Sequence, residues 1–276
     1  MSNSEALFEW STEAEAAGER ALLPGSTLFC DFDGPIADVS DRYYATYTSA
    51  LASTQSDCAV NRTSRAIYRL TKAQFWRMKQ NRVPDTAIAD CSGLSKSETR
   101  NFLDRVSALV NQPALLHQDR LQRGAKSALT ALNQQGIKVV IVTLRQASQV
   151  QDFLQEHGLT PMIQRIHGAQ NTDCAYPNRV EHKVVQLREA IATQRCLGLS
   201  TATSWMIGDT EADICAGQAA GLPTIALTCG IRSATYLKGF NPTCLQQTLA
   251  SATEFLLTRQ PSRLQASRLS TPVANL

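Results

Sequence analysis

The sequence predicts an α/β protein: a doubly wound, Rossmann-like parallel sheet with an all-helical insert. Two observations support this prediction. In the second half of the chain, apolar stretches rich in β-branched residues alternate with helical stretches, as is typical of a parallel sheet covered by helices on both faces. Residues 39–113, in contrast, contain several helical patterns and no convincing strand, so they interrupt the alternation as a separate module.

The predicted strands are short apolar runs, and the first of them, TLFCDFD, precedes the insert. The strands that follow the insert are GIKVVIVT (136–143), MIQRIHG (162–168), TSWMIGD (203–209) and PTIALT (223–228). We expect PTIALT to be the final strand of the sheet.

The predicted helices lie between these strands and within the insert. Those between the strands cover 125–135, 147–158, 179–194 and 210–221. The third of them is expected to bury Val184, Val185, Leu187 and Ile191. Those of the insert cover 40–51, 63–80 and 95–110.

Composition is that of an ordinary globular protein, with 43% apolar and 18% charged residues in a chain of 276. No run has the length of a membrane span or of a signal peptide, and the eight cysteines form no CxxC pair. We therefore expect a cytoplasmic protein with reduced thiols. The net charge of +3 is matched by three arginines in the tail, so it does not indicate a nucleic-acid partner.

These patterns divide the chain into four predicted parts. They are an N-terminal segment (1–24), an α/β core (25–38 and 114–258), a helical insert (39–113) and a tail (259–276) whose Ser, Pro and Gln content predicts disorder.

Polar residues that could share one site stand at three predicted strand ends and one helix start. They are Asp31 and Asp33, Thr143, Lys183, and Asp209 with Asp213. The carboxyl ends of parallel strands meet at one edge of a sheet, where ligands bind. Four carboxylates there would repel one another unless a divalent cation and a lysine neutralised them. A ligand set made only of oxygen favours a hard cation, usually Mg²⁺.

Four motifs resemble, in order and spacing, those of the haloacid dehalogenase superfamily. They are DFDGPIAD (31–38), VVIVTLR (139–145), Lys183 and WMIGDTEADICAGQAAG (205–221). The helical insert is similar to the cap domain of that superfamily, and the layout is most similar to its phosphoglycolate phosphatase-like branch. The resemblance covers residues from about 25 to 258.

The resemblance implies a Mg²⁺-dependent phosphatase that hydrolyses a small phosphate monoester through an aspartyl-phosphate. Asp31 would attack phosphorus. Asp33 would protonate the leaving alkoxide and then accept a proton from water. Mg²⁺ would be held by Asp31, by the backbone carbonyl of Asp33 and by Asp209.

The remaining motif residues would support this chemistry. Thr143 and Lys183 would bind the non-transferred phosphate oxygens, and Asp213 would orient a water molecule or Lys183. Pro35 stands where the family usually has Thr; since Pro has no backbone N–H, we expect the turn to lose a hydrogen bond and the rate to suffer. Arg145 could contact substrate or be a solvated loop residue.

Two alternatives remain open on the sequence. A phosphotransferase or phosphomutase acting on a sugar phosphate would use the same aspartyl-phosphate, and a non-catalytic phospholigand-binding protein could have the same fold. Dehalogenation is disfavoured, because it does not need Asp33. The expected partner is a small anionic phosphate ester, with no nucleic acid and no membrane, and the sequence does not indicate an oligomeric state.

The insert carries a row of basic residues that recur every three or four positions and would form one stripe of a helix. They are Arg62, Arg65, Arg69, Lys72 and Lys79, with Trp76 among them. The stripe could be a solvated face, or it could overhang the site and attract an anionic ester. Binding of RNA is the less favoured interpretation.

Overall fold

The computed structural model describes residues 22–60, 67–170 and 175–258. Nearly all of the predicted N-terminal segment and the whole predicted tail lie outside these residues. None of the helices in the described ranges is both long enough and apolar enough to cross a membrane.

A six-stranded parallel sheet forms the centre of the fold, and it confirms the predicted fold class. Its strands, with an additional short antiparallel pair β2 and β3, are β1 (Thr27–Cys30), β2 (Ala37–Asp38), β3 (Arg120–Leu121), β4 (Lys138–Gln146), β5 (Ile163–Ala169), β6 (Trp205–Gly208), β7 (Thr224–Leu227) and β8 (Cys244–Gln246). The order in the sheet is β5-β4-β1-β6-β7-β8, and every neighbouring pair is parallel. The order reverses at β1, so the carboxyl ends of β1, β4 and β6 border the crevice in which such sheets bind ligands.

The helices of the described residues cover both faces of this sheet or build the insert. They are α1 (Ser40–Val60), α2 (Lys72–Gln80), α3 (Asp85–Cys91), α4 (Lys96–Leu109), α5 (Pro113–Leu116), α6 (Ala125–Gln134), α7 (Ala147–Glu156), α8 (Val180–Cys196), α9 (Glu211–Ala219), α10 (Ala234–Lys238) and α11 (Leu249–Thr258).

The core consists of two apolar layers, one on each face of the sheet. Side chains alternate along a strand, so Leu28 and Cys30 pack into one layer and Phe29 into the other. Helices α6, α7 and α11 cover the first layer, and α8 and α9 cover the second. Burial on both faces explains why the strands are almost continuously apolar.

The insert has an apolar cluster of its own. Helices α1 to α4 contribute to it Tyr47, Phe75, Ile88 and Phe102, one from each helix in that order. The exact limits of core and insert, at residues 38 and 114, stay a prediction. The chain passes from core to insert near β2 and returns near β3, and the β2–β3 pair joins these two crossings.

Three expectations about the elements are wrong, and one helix of the insert was not expected. The strand β8 follows PTIALT and pairs with β7; its half-buried sequence CLQ has no strong apolar signal. Val185 is 54% exposed, because the buried face of α8 contains Lys183, Leu187 and Ile191 and does not include Val185; Leu187 and Ile191 are buried as predicted. Helix α2 begins only at Lys72, and α3 lies where no helix was predicted.

The late start of α2 removes the predicted basic stripe. Thr71 caps α2: its side chain accepts from the backbone N–H of Gln74, whose side chain in turn accepts from the N–H of Thr71. Arg69 therefore lies in the extended segment before the helix, where it is exposed. Lys72 forms an ion pair with Asp41 at 2.5 Å. Arg62 and Arg65 lie outside the described residues.

Candidate active site

The ends of β1 and β6 bring three carboxylates together. Asp31 follows β1 and Asp209 follows β6, and the two strands are neighbours, with the N–H of Asp31 donating to the carbonyl of Ile207 at 2.8 Å. Asp213 lies in the first turn of α9, directly after β6. One oxygen from each of the three carboxylates lies within 4.8 Å of the others, and all three side chains are buried.

Lys183 neutralises part of this charge. Its Nζ lies 2.7 Å from Oδ1 of Asp31 and 2.9 Å from Oδ1 of Asp213, and it donates to the carbonyl of Val142 at 3.0 Å. Burial alone would lower the pKa of Lys183, but Asp213 and Asp31 outweigh burial and raise it. The ammonium group therefore stays charged, and the structure places it between Asp31 and Asp213.

The carboxylates nevertheless outnumber the lysine. Burial, and then the charge of Asp213, raise the pKa of Asp31 to about 7, and Lys183 opposes this shift. Burial, and then the charges of Asp31 and Asp213, raise the pKa of Asp209 well above its ordinary value. The site is therefore short of positive charge.

A divalent cation fits this deficit. Oδ2 of Asp209 accepts from the N–H of Ile231 at 2.6 Å, but its Oδ1 is buried and has no hydrogen-bond partner among the described residues. A buried carboxylate oxygen without a donor is costly unless a cation contacts it. The side chains that could bind a metal here, Asp31 and Asp209, offer only oxygen atoms as ligands, which suits Mg²⁺.

Glycines allow the backbone to approach these carboxylates closely. A Cβ atom on Gly34 would lie 2.3 Å from Cγ of Asp209, and one on Gly230 would lie 1.8 Å from its Oδ2. Gly34 also has a φ of +95°, a conformation that L side chains rarely adopt. Small residues are therefore required on two sides of Asp209.

The turn around Pro35 keeps hydrogen bonds at its flanking residues. The N–H groups of Ile36 and Ala37 both donate to the carbonyl of Phe32 at 3.0 Å, and the N–H of Gly34 donates to the carbonyl of Ala37 at 2.8 Å. The effect of Pro35 on the rate stays a prediction.

Thr143 lies at the same edge but within a strand. The strand β4 runs on to Gln146, three residues beyond the predicted end, and its pairing with β5 is irregular between Val142 and Gln146. Such an irregularity re-aims side chains next to a site. Thr143 is buried beside Asp31 and Lys183 on the wall of one cleft.

Asp33 is paired with two arginines. Its Oδ1 lies 2.9 Å from Nη1 of Arg145, and its Oδ2 lies 3.1 Å from Nη2 of Arg42. Burial would raise the pKa of Asp33, but Arg145 and Arg42 lower it overall. The alternative of a solvated Arg145 is wrong, since this side chain is buried.

The cleft above these residues has an empty volume of about 570 Å³, including the part open to solvent. Its upper wall combines residues from the insert and the core: Tyr43, Lys79 and Arg82, with Tyr176, Asn178 and Arg232. Lys79 is buried, with its Nζ 2.8 Å from Asp85, and the N–H of Ser233 donates to the carbonyl of Gln80 at 2.8 Å. The end of α2 is thus held against the core.

Of the three basic-stripe residues that the structure describes, Arg69, Lys72 and Lys79, only Lys79 lines this cleft. Sequence reasoning missed Arg42 and Tyr176 altogether. Arg42 is an isolated arginine in the first turn of α1, and Tyr176 lies in a loop next to residues 171–174, which the structure does not describe. Neither position carries a pattern that connects it to the motifs.

Known proteins resemble this chain in sequence and in fold. A family model described as haloacid dehalogenase-like hydrolase matches residues 28–227. A phosphoglycolate phosphatase of Vibrio vulnificus is 26% identical over 132 residues, covering 48% of this chain and 54% of that protein. A phosphoglycolate phosphatase of Photobacterium profundum is 28% identical over 125 residues, covering 45% of this chain and 51% of that protein. The chain thus spans about half the length of the curated relatives that it matches.

A solved structure supports the fold. The crystal structure of a predicted phosphatase from Clostridium acetobutylicum superimposes with a TM-score of 0.60 at 17% identity, covering 86% of this chain and 99% of that one. At this identity the likeness concerns the fold alone.

Proposed function

Because the chain belongs to the haloacid dehalogenase-like hydrolase family, we propose that it is a phosphatase that hydrolyses a small anionic phosphate monoester. The observation that carries this proposal is the buried cluster of Asp31, Asp209 and Asp213 around Lys183, at the carboxyl end of a parallel sheet. Such a cluster is costly to hold without a cation and an anionic ligand.

Catalysis proceeds in two steps on the protein side. A carboxylate oxygen of Asp31 attacks phosphorus and forms an O–P bond, while the bond between phosphorus and the ester oxygen breaks and leaves its electron pair on that oxygen. Because Arg42 and Arg145 lower the pKa of Asp33, this carboxylate first takes a proton from the monoanionic form of the bound ester; it then gives that proton to the ester oxygen, so an alcohol leaves. Asp33, now a carboxylate, takes a proton from water; the water oxygen attacks phosphorus, the bond to Asp31 breaks, and phosphate is released.

The other residues bind the phosphate. Lys183 and Thr143 contact its non-transferred oxygens, where charge lies in a loose transition state. Asp213 holds the ammonium group of Lys183 at 2.9 Å. Asp31, Asp209 and the backbone carbonyl of Asp33 would hold Mg²⁺. When bound, the ion supplies positive charge to the phosphate and to the carboxylates.

The curated relatives are named phosphoglycolate phosphatases, so we propose 2-phosphoglycolate as the first substrate to test. The decisive experiment is release of inorganic phosphate from a panel of monoesters, with Mg²⁺ and with chelator, by the parent protein and by Asp31→Asn. We expect release only by the parent and only with Mg²⁺. An isomerised sugar phosphate without release would favour a phosphomutase, and binding without turnover a phospholigand-binding protein.

We also propose that the chain has no nucleic-acid ligand. The predicted basic stripe does not form, and two of its members, Lys72 and Lys79, are each paired with a carboxylate. An RNA-binding measurement at low salt that detects no affinity is the expected result.

A further inference from the structure

Four side chains of alternating charge, three of them buried and one half-buried, form a closed ring next to the cleft. Asp33 accepts from Arg42 and Arg145 at 3.1 and 2.9 Å. Asp119 accepts from the same two arginines at 2.8 Å (Nε of Arg42) and 2.7 Å (Nη1 of Arg145). We name Asp33, Arg42, Asp119 and Arg145 the ion ring. Each carboxylate thus binds both guanidinium groups.

The ion ring meets the cleft at Asp33 and Arg145, and Asp33 is its one member with substantial exposure. The carboxylate of Asp33 is 23% exposed, whereas the side chains of Arg42 and Arg145 are buried and that of Asp119 is fully so. Asp33 and Arg145 line the cleft, but Asp119 does not. Asp119 therefore cannot touch a substrate, and any influence that it has must pass through its neighbours.

The members of the ion ring come from four separate parts of the fold. Arg42 lies on α1, the first helix of the insert, and Asp119 comes directly before β3, where the chain returns to the core. Arg145 lies near the end of β4. Arg42 also donates to the carbonyl of Val110 at 2.9 Å. The ring thus ties both crossings between insert and core to one residue at the reacting end of the cleft.

Asp119 is the carboxylate, besides Asp33, that holds both guanidinium groups; Nη1 of Arg42 also donates to the carbonyl of Val110 and to Oδ1 of Asn111, and Nε of Arg145 donates to Oε1 of Gln149 at 3.4 Å. The two oxygens of Asp119 take one donor from each arginine, and a guanidinium offers its donors in a fixed planar fork. With Nε of Arg42 and Nη1 of Arg145 fixed in this way, the donors that reach Asp33 are fixed as well. Without Asp119, two buried cations would have to share one carboxylate and would turn away from their present positions.

We propose that Asp119 is a positioning residue for proton transfer by Asp33. Through Arg42 and Arg145 it holds the carboxyl group of Asp33 in the orientation from which the proton reaches the ester oxygen as the bond to phosphorus breaks. This inference rests on the proposed function. It predicts that loss of Asp119 harms reactions that need this proton and spares those that do not.

The test compares two esters by kcat/KM, which reports the steps up to departure of the alcohol and not the later release of phosphate. One is 2-phosphoglycolate, or the alkyl phosphate that the panel ranks first, whose alkoxide must be protonated. The other is 4-nitrophenyl phosphate, whose phenolate leaves without a proton. In Asp119→Asn we expect kcat/KM to fall about 10- to 100-fold for the alkyl ester and less than about threefold for the aryl ester. The loss for the alkyl ester is smaller than the full contribution of general acid catalysis, roughly 10²- to 10⁴-fold, because Asp33 itself is still present.

Three controls separate positioning from a general loss of structure. Inhibition by inorganic phosphate should be unchanged, because Lys183 and Thr143 are untouched. In an Asp33→Asn background, Asp119→Asn should add no further selectivity, since the residue through which it acts is already lost. Asp119→Glu keeps the buried charge and should fold even if the Asn variant does not. It should show the same change in selectivity, to a smaller extent.

The outcomes are distinct. A parent protein that releases phosphate from neither ester contradicts the proposed function and this inference with it. A parent protein active on both esters, with Asp119 variants that lower both by the same factor, overturns this inference alone. An effect of Asp119→Asn that is equally large in the Asp33→Asn background also overturns it.

Discussion

The substitution Asp31→Asn is expected to abolish turnover and, at the same time, to stabilise the protein in the absence of metal. Asn is nearly isosteric with Asp and keeps an oxygen for Lys183, but it cannot attack phosphorus as a carboxylate does. It also removes one of three clustered buried negative charges. Replacing one carboxylate oxygen of Asp31 with an amide NH₂ group should therefore lower the activity and raise the stability together.

The size of the stabilisation follows from the pKa of Asp31. A difference of one in pKa corresponds to about 1.4 kcal/mol, so a rise from 3.8 to about 7 means that ionised Asp31 lowers the free energy of unfolding by about 4 kcal/mol near neutral pH. Partial relaxation of the site reduces this value. Even a quarter of it, about 1 kcal/mol, raises the Tm of a chain of this size by about 2–4 °C.

The pH dependence has a definite sign. The pKa of Asp31 is higher in the folded state than its ordinary value of 3.8, so the folded protein binds a proton that the unfolded chain does not bind between about pH 4 and 7. The parent protein therefore loses the repulsion as the pH falls below 7. The advantage of Asp31→Asn should be largest at and above pH 7 and should shrink toward pH 5.

Thermal unfolding in chelator, at pH 8 and at pH 5, measures this effect beside phosphate release with Mg²⁺. Asp90→Asn is the matched control, because it changes the same charge at an exposed position of α3 and should leave Tm and activity unchanged. Activity of Asp31→Asn within about tenfold of the parent would refute the nucleophile assignment. A fall in Tm at pH 8 would refute the electrostatic reasoning.

Three further predictions concern the metal and the cleft. Mg²⁺ should raise the Tm of the parent protein in chelator-treated samples, and Asp209→Asn should reduce that rise and the activity, because the ion binds the folded state only. Gly230→Ala should raise the Mg²⁺ concentration needed for activity, since its Cβ would lie 1.8 Å from Oδ2 of Asp209. Lys79→Gln should raise KM several-fold at low salt because Lys79 lines the cleft, whereas Lys72→Gln should not, because Lys72 does not line it; both lysines are paired with a carboxylate.

Each of these has a result that would contradict it. Full activity in chelator would remove the metal from the scheme. A Gly230→Ala protein with an unchanged Mg²⁺ requirement would show that the loop moves aside at no cost. If KM changed equally in the two lysine variants, the change would result from the net charge of the protein and not from the position of Lys79 in the cleft.

The sequence could place the motif residues because each depends on a local rule. Asp31, Thr143 and Asp209 follow or end apolar runs, and the carboxyl ends of neighbouring parallel strands share one edge. Lys183 required its helix to be recognised, and that helix also has a clear pattern. A local signal was available for the start of α2, the capping pair of Thr71 and Gln74, and a helix boundary placed there would have broken the basic stripe.

The ion ring could not be predicted in this way. Arg42 and Asp119 are 77 positions apart, and Asp33 and Arg145 are 112 positions apart. No periodicity connects such residues, and single arginines and aspartates are ordinary on a solvated surface. These residues become neighbours only when the insert, the crossing and the strand end are folded together. Local patterns were therefore sufficient to predict the motifs but not to predict these long-range ion pairs.

The β2–β3 pair clasps the two crossings of the chain, with Ala37 opposite Leu121 and Asp38 opposite Arg120. In terms of geometry alone, the segment between Asp38 and Arg120 could be replaced by another insert without disturbing the two strands. Electrostatically it could not, because the exchange would remove Arg42 and Asp119 and leave Arg145 and Asp33 behind. A grafted insert would have to bring a cation and a carboxylate of its own to these places. Exchange of the insert is therefore constrained at the β2–β3 pair, by a balance of charge that the foreign module must reproduce.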